Sequence, residues 1–146
     1  MLDKKIIFDY YKYPIIPVKF YYKDKKTPFI EALLDSGGDF IVIPMPIAEY
    51  LGLSLENAGE VDTAGGAVSL FKAHIDITIG KNGGFAEYRN KLIHVSTRSD
   101  IPILLGRSPI FEDYEITFKK QRNQLILKEN TKTEIKNKVW ILSKII

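Results

Sequence analysis

The stretch "EALLDSGGDFIVIP", residues 31–44, sets one acid and one hydroxyl between two apolar runs, Leu33-Leu34 ahead of them and Phe40-Ile41-Val42-Ile43 behind. A carboxylate carried into a core costs several kcal/mol unless it is paired or hydrogen-bonded. Asp35 therefore requires a structural partner or a chemical task. The runs on either side read as strands: "FIEALL" (29–34) ends at Asp35, "SGG" turns the chain, and "DFIVIP" resumes β until Pro44 stops it.

Outward from this turn the chain continues as short β-rich runs at the spacing of a sandwich or small barrel. "IIPVKFYY" (15–22) precedes it as a strand, joined through the polar turn "KDKKTP". "MPIAEYLGL" follows as a short helix, with Pro46 suited to a first-turn position and Gly52 to a C-terminal cap. In residues 61–80, Phe71, Ala73, Ile75, Ile77 and Ile79 alternate with Lys72, His74, Asp76 and Thr78, the period of a half-buried strand. "KNGG" turns into the strand "FAEYRNKLIHVS", and "IPILLG" (101–106) is a short apolar run of buried-strand type. "RSPIFEDY" reads as one helical stretch, with Ser108 as N-cap, Pro109 in the first position, and Glu112 and Asp113 near the positive end of the dipole. "EITFKKQRNQLILK" is a hairpin around "KQRN".

Composition bounds the function. A chain of 146 residues suits one domain over 1–146, able to bury roughly two-thirds of its unfolded surface. Hydrophobic residues at 45% and charged residues at 27% argue for a folded globular chain. With no cysteine there is neither a disulfide framework nor thiolate chemistry. The 21 basic residues behind the net charge of +3 are spread along the chain, which argues for a solvated surface over a nucleic-acid site. No apolar stretch reaches signal-peptide or membrane-span length, so the expectation is a soluble cytoplasmic protein with no membrane partner.

Paired apolar residues end in a glycine turn at two places, "ALLDSG" (32–37) and "ILLG" (103–106). Together, "LLDSGGD" and "ILLGRSPIFEDYEITF" resemble the retropepsin-like aspartic proteases, in which a strand delivers Asp-Thr/Ser-Gly to the site and a later apolar-apolar-Gly-Arg stretch with its helix packs beside it. The resemblance covers residues 15 to 128 and leaves 129–146 as a C-terminal extension. Ser36 replaces the commoner Thr, and Ser108-Pro109 stand where an acid or amide often follows the Arg. The resemblance implies an all-β closed barrel with one short helix after Gly106-Arg107, assembled as a two-fold homodimer that acts on peptide or protein substrates without a cofactor or metal.

The chemistry agrees. Hydrolysis of a peptide without metal or covalent nucleophile needs one carboxylate to deprotonate water and one carboxylic acid to donate to the scissile carbonyl. Two such groups about 3 Å apart cannot both ionise, so a shared proton supplies both roles. The sequence offers one such turn, so Asp35 has to meet its copy in a second chain. Ser36 is then expected to hydrogen-bond across the two-fold axis, and Gly37 to give the turn its backbone geometry. By resemblance Asp39 pairs with Arg107, whose planar fork can hold a carboxylate bidentately, as a scaffold ion pair. Ala64, Gly65 and Gly66 in "VDTAGGAVSL" fit the tip of a flap that closes over an extended peptide.

Other assignments fit less well. "DTAG" (62–65) copies the catalytic motif, but Glu60-Val61 precede Asp62 where an apolar pair belongs, and Ala64 stands where the turn requires glycine. Ser36 is no hydrolase elbow, since Leu34 occupies the first glycine position. His74 and His94 fall on separate predicted strands without cysteine or a spaced acid cluster, and read as structural or surface residues. In the tail "TEIKNKVWILSKII", Ile135, Val139, Leu142 and Ile146 keep helical spacing while Val139 to Leu142 also make a β run, and both remain open. The resemblance assigns this tail or the N-terminal "KKIIFDY" to the dimer interface. A protease-like dimer that binds peptides or partner proteins without cutting them is the alternative of a different class.

Overall fold

The computed structural model describes residues 5–64, 66–80 and 86–130. Among these described residues, eleven strands and one regular helix follow each other: β1 (Lys5–Asp9), β2 (Ile15–Tyr22), β3 (Lys25–Lys26), β4 (Ile30–Leu34), β5 (Ile41–Pro44), α1 (Met45–Leu51), β6 (Glu56–Thr63), β7 (Gly66–Ile79), β8 (Ala86–Ser96), β9 (Ile103–Leu105), β10 (Tyr114–Lys119) and β11 (Gln124–Glu129). Strands β2, β4, β9, β5, β8 and β7 hydrogen-bond in that order, and β2 pairs back to β7, closing a six-stranded barrel. Its interior is set by the two-residue period of each strand. Ile16, Val18 and Phe20 of β2, Ile41 and Ile43 of β5, Ile75, Ile77 and Ile79 of β7, Ile93 and Val95 of β8 and Leu105 of β9 are buried. Each contributes about 1.5–3 kcal/mol as an area-based upper estimate.

Two parallel pairings sit in the middle of this barrel, β4 with β9 and β5 with β8. A parallel pair needs a crossover, and α1 lies in the one from β5 towards β8, with Ala48 and Leu51 packed on the core. Gly52 ends the helix at φ +67, donating its N–H to Glu49 O at 3.1 Å. The polar turn expected at "KDKKTP" contains the short β3 and one buried residue, Thr27, whose Oγ1 accepts the Phe20 N–H at 3.0 Å and donates to Pro28 O at 2.8 Å.

Outside the barrel, β1, β11 and β10 form a separate antiparallel sheet in that order. The N-terminal segment thus pairs on one side with β11 of its own chain, Ile7 opposite Ile126. The expected "KQRN" hairpin joins β10 to β11. Both the "KNGG" turn and the 131–146 tail lie outside the described residues. Among the described residues no helix is long and apolar enough to cross a membrane.

Candidate active site

Asp35 stands at the end of β4, where the strand leaves the barrel wall. Its N–H still donates to Leu105 O, at 2.9 Å, continuing the parallel ladder with β9, and the chain then turns back through Ser36, Gly37 and Gly38. In the isolated chain the Asp35 side chain is half-exposed at the rim, not enclosed in the core. The reason is geometric: Leu34, one residue earlier, is the last inward-facing position of β4, and Asp35 points the other way. Its Oδ1 accepts the Gly37 N–H at 3.0 Å, a local turn that satisfies the carboxylate without a buried partner. Ser36 and Gly37 are exposed beside it.

The turn is clamped by the segment following β9. Gly106 N–H donates to Phe40 O at 3.2 Å, Arg107 N–H to Gly38 O at 2.8 Å, and Ser108 N–H to Asp39 O at 2.9 Å. Two glycines leave the room required, Gly106 for this close approach and Gly38 for the Asp35 carboxylate. A Cβ on Gly106 would lie 2.3 Å from Phe40 O and 2.7 Å from Phe40 N, and one on Gly38 would lie 2.9 Å from Asp35 Oδ2. The glycine turn ending "ILLG" is legible in the sequence; the part played by Gly38 is not, although the doubled glycine of "SGGD" carries its signal.

Asp39 and Arg107 are brought together, Nη2 on Asp39 Oδ1, but the contact is not bidentate. The guanidinium spans the carboxylate and the backbone, with Nε donating to Gly38 O at 3.3 Å. Both side chains are more than half exposed in the isolated chain, at 55% and 67%. A helical turn follows Arg107 as expected, though an irregular one. Within Arg107–Phe111, Ser108 has the extended backbone of an N-cap, φ −102 and ψ 125, and Pro109 follows it, through a cis peptide bond and with no side-chain cap hydrogen bond. The first N–H groups of the turn already reach the Asp35 loop carbonyls, so no side-chain cap is required. At its far end, Tyr88 Oη donates to Asp113 Oδ2 at 2.9 Å, and Asn130 N–H donates to Asp113 O at 3.1 Å. Burial first, then the negative charge around Asp113 and Glu129, pushes the Tyr88 and Tyr114 phenols above their ordinary range.

The other sequence-derived residues lie along β6, β7 and β8, beginning with the β6–β7 pair. These strands form a hairpin that projects beyond the barrel, Thr63 pairing with Gly66 at its tip. Ala64 and Gly66 are exposed there, while Gly65 lies outside the described residues. Asp62 is an exposed residue of this hairpin, paired through its backbone with Ala67, and lies at no strand-end turn. His74 and His94 fall on adjacent strands, opposite Leu92 and Lys72. His94 packs its ring on Phe40, with centroids 4.7 Å apart.

A closed six-stranded barrel with an Asp-Ser-Gly turn at the end of one strand, locked by a later Leu-Gly-Arg, is the architecture of the retropepsin-like aspartic proteases, and this chain has that fold. Among solved structures, a retropepsin-like aspartic protease from Rickettsia conorii matches with a TM-score of 0.62 over 84% of this chain and 98% of its own, at 21% sequence identity. EIAV protease complexed with the inhibitor HBY-793 matches at 0.50 over 69% of this chain and 88% of its own, also at 21% identity. The retroviral protease-like domain of Ddi1 from Leishmania major gives 0.53 over 80% and 92%, at 13% identity. No protein-family model matches the sequence, and neither does any curated protein.

Proposed function

We propose that this chain is an aspartic endopeptidase that works as a homodimer, with Asp35 of one protomer and Asp35 of its partner forming the catalytic dyad. The observation that carries the reading is the Asp35 carboxylate, held by Gly37 N–H at the mouth of a retropepsin-like barrel and left half-exposed in the single chain. One carboxylate takes a proton from water while the other, as the acid, donates to the carbonyl oxygen of the scissile bond. Ser36, beside it, braces the turn against its copy, and the Asp39–Arg107 contact keeps the loop closed on the segment after β9. The β6–β7 hairpin, through Ala64, Gly65 and Gly66, acts as the flap that covers an extended peptide and excludes water.

Asp35→Asn tests this directly. The variant is expected to remain a folded dimer by sedimentation and to cut none of the peptides in a mixed library, because both proton-transfer roles come from one residue in two copies. Specific activity of the unaltered chain falls on dilution below the dimer dissociation constant. Cleavage by Asp35→Asn at the unaltered rate, or constant activity in a species that stays monomeric, overturns the shared dyad.

A further inference from the structure

One row of outward-facing residues crosses the barrel from the Asp35 turn. The register sets Leu33 of β4 beside Leu104 of β9, Leu104 beside Val42 of β5, and Val42 beside His94 of β8. The next partner, on β7, is Lys72. Their sequence neighbours Leu34, Leu105, Ile43, Ile93 and Ala73 are all buried, so alternation turns this row to the outer face. Leu33, Leu104, Val42, His94 and Lys72 are all half-buried, and Asp35 follows Leu33 by two residues. The row is thus apolar next to the carboxylate and basic at its far end.

We propose that His94 is a specificity-determining residue: with Lys72 it forms the polar end of this row, and it selects an acidic side chain, aspartate or glutamate, in the extended peptide bound alongside. The inference rests on the reading of Asp35 as the acid of a peptidase, and adds the chemical class of substrate. Strands lie about 4.8 Å apart, so His94 stands about 14 Å across the sheet from Leu33, three strand spacings away, and Asp35 lies about 7 Å further along β4. The resulting separation of about 16 Å spans about four to five residues of extended peptide at ~3.3 Å each. The acidic side chain accordingly falls about four to five residues from the scissile bond.

The groups around His94 define its behaviour. Lys72 faces it from β7, with Glu56 of β6 on the far side of Lys72 at 3.7 Å. His74, two residues along β7, is exposed opposite Leu92. Val42 comes from β5, and Phe40, just before that strand, sets its ring at a tilt against the imidazole. Partial burial, then the Lys72 charge, holds the imidazole below its ordinary value. His94 is therefore neutral near neutrality and gains its charge only in acid, where a substrate glutamate remains ionised down to about pH 4.3. The Glu56–Lys72 contact is a loose surface pair, Glu56 being 75% exposed, and a peptide carboxylate can replace it.

The test uses octapeptides with Phe before the scissile bond and Glu or Gln scanned through the other positions, with kcat/KM measured from pH 4.5 to 7.5 on the full chain. At one position about four to five residues from the cut, the Glu/Gln ratio is expected to rise about fivefold as pH falls below the usual histidine value, the size of a modest ion pair. His94→Gln should remove that rise, and His94→Lys should hold the ratio high to neutral pH. A ratio that ignores pH, or one that rises equally in His94→Gln, overturns the assignment. Binding of the same peptides to Asp35→Asn, by fluorescence anisotropy, gives a readout free of turnover. If the unaltered chain cuts nothing, the peptidase reading fails by itself. A Glu preference in binding that appears in acid and vanishes in His94→Gln still supports the role of His94, and its absence overturns it.

Discussion

Replacing Gly106 by alanine probes the contact on which the site depends. Gly106 has an ordinary extended backbone, φ −75 and ψ −173, so alanine meets no conformational strain there. The obstacle is space: the new Cβ falls 2.3 Å from Phe40 O, 2.7 Å from Phe40 N and 2.9 Å from Gly38 O. All three are backbone atoms, so no rotamer change relieves them, and the Asp35 loop has to move by about 1 Å to reach van der Waals separation. Overpacking of this kind costs about 1–3 kcal/mol. A loss of about 3 kcal/mol is therefore expected, and if the loop lets go of residues 106–108 as well, three backbone hydrogen bonds at about 1 kcal/mol each raise the upper bound to near 6. At a urea slope of about 2 kcal/mol/M this moves the midpoint down by about 1.5 M at fixed protein concentration. Gly52→Ala is the control, because Gly52 has nothing within 4 Å of its Cβ position and only the penalty of φ +67, about 1 kcal/mol. Peptide cleavage by Gly106→Ala should fall further than stability requires, since the displaced loop carries Asp35. A Gly106→Ala chain within about 0.5 kcal/mol of the unaltered protein, or no worse than Gly52→Ala, refutes the reasoning.

Two further predictions follow from the same geometry. Arg107→Ala should cost the isolated chain only about 1 kcal/mol by urea unfolding, because its pair with Asp39 is solvent-exposed; a loss above about 3 kcal/mol would mean that a partner chain buries the pair in solution. Tyr88 and Tyr114 have folded pKa values raised above their unfolded values, so their contribution is fully present below about pH 10 and is lost as pH climbs beyond it, where only the unfolded chain releases the protons. Unfolding of Tyr88→Phe, followed from pH 8 to 11, should show a shallower alkaline decline, and an unchanged slope would contradict the burial of that phenol.

Much of this protein is local and therefore legible in order along the chain. The alternation over Phe71 to Ile79 specifies which side of β7 is buried, because a strand has only two faces. Pro46 and Gly52 bound α1 through backbone preferences that need no neighbour. The Asp-Ser-Gly turn announces itself because a carboxylate at the end of an apolar strand has to leave the core. What the chain order does not contain is which strands become neighbours. The parallel pairings of β4 with β9 and of β5 with β8 join segments separated by a helix and a long hairpin, and loop-closure entropy is indifferent to partner identity. Those pairings place Gly106 against Phe40 and satisfy the N–H groups of Arg107 and Ser108 with loop carbonyls, so the turn that starts at Ser108 needs no side-chain cap although local preferences alone predict one. They also align Leu33, Leu104, Val42 and His94, residues that alternate with core positions on four separate strands. Periodicity marks each as outward-facing, and only the closed barrel, by fixing the register, makes them one surface beside Asp35.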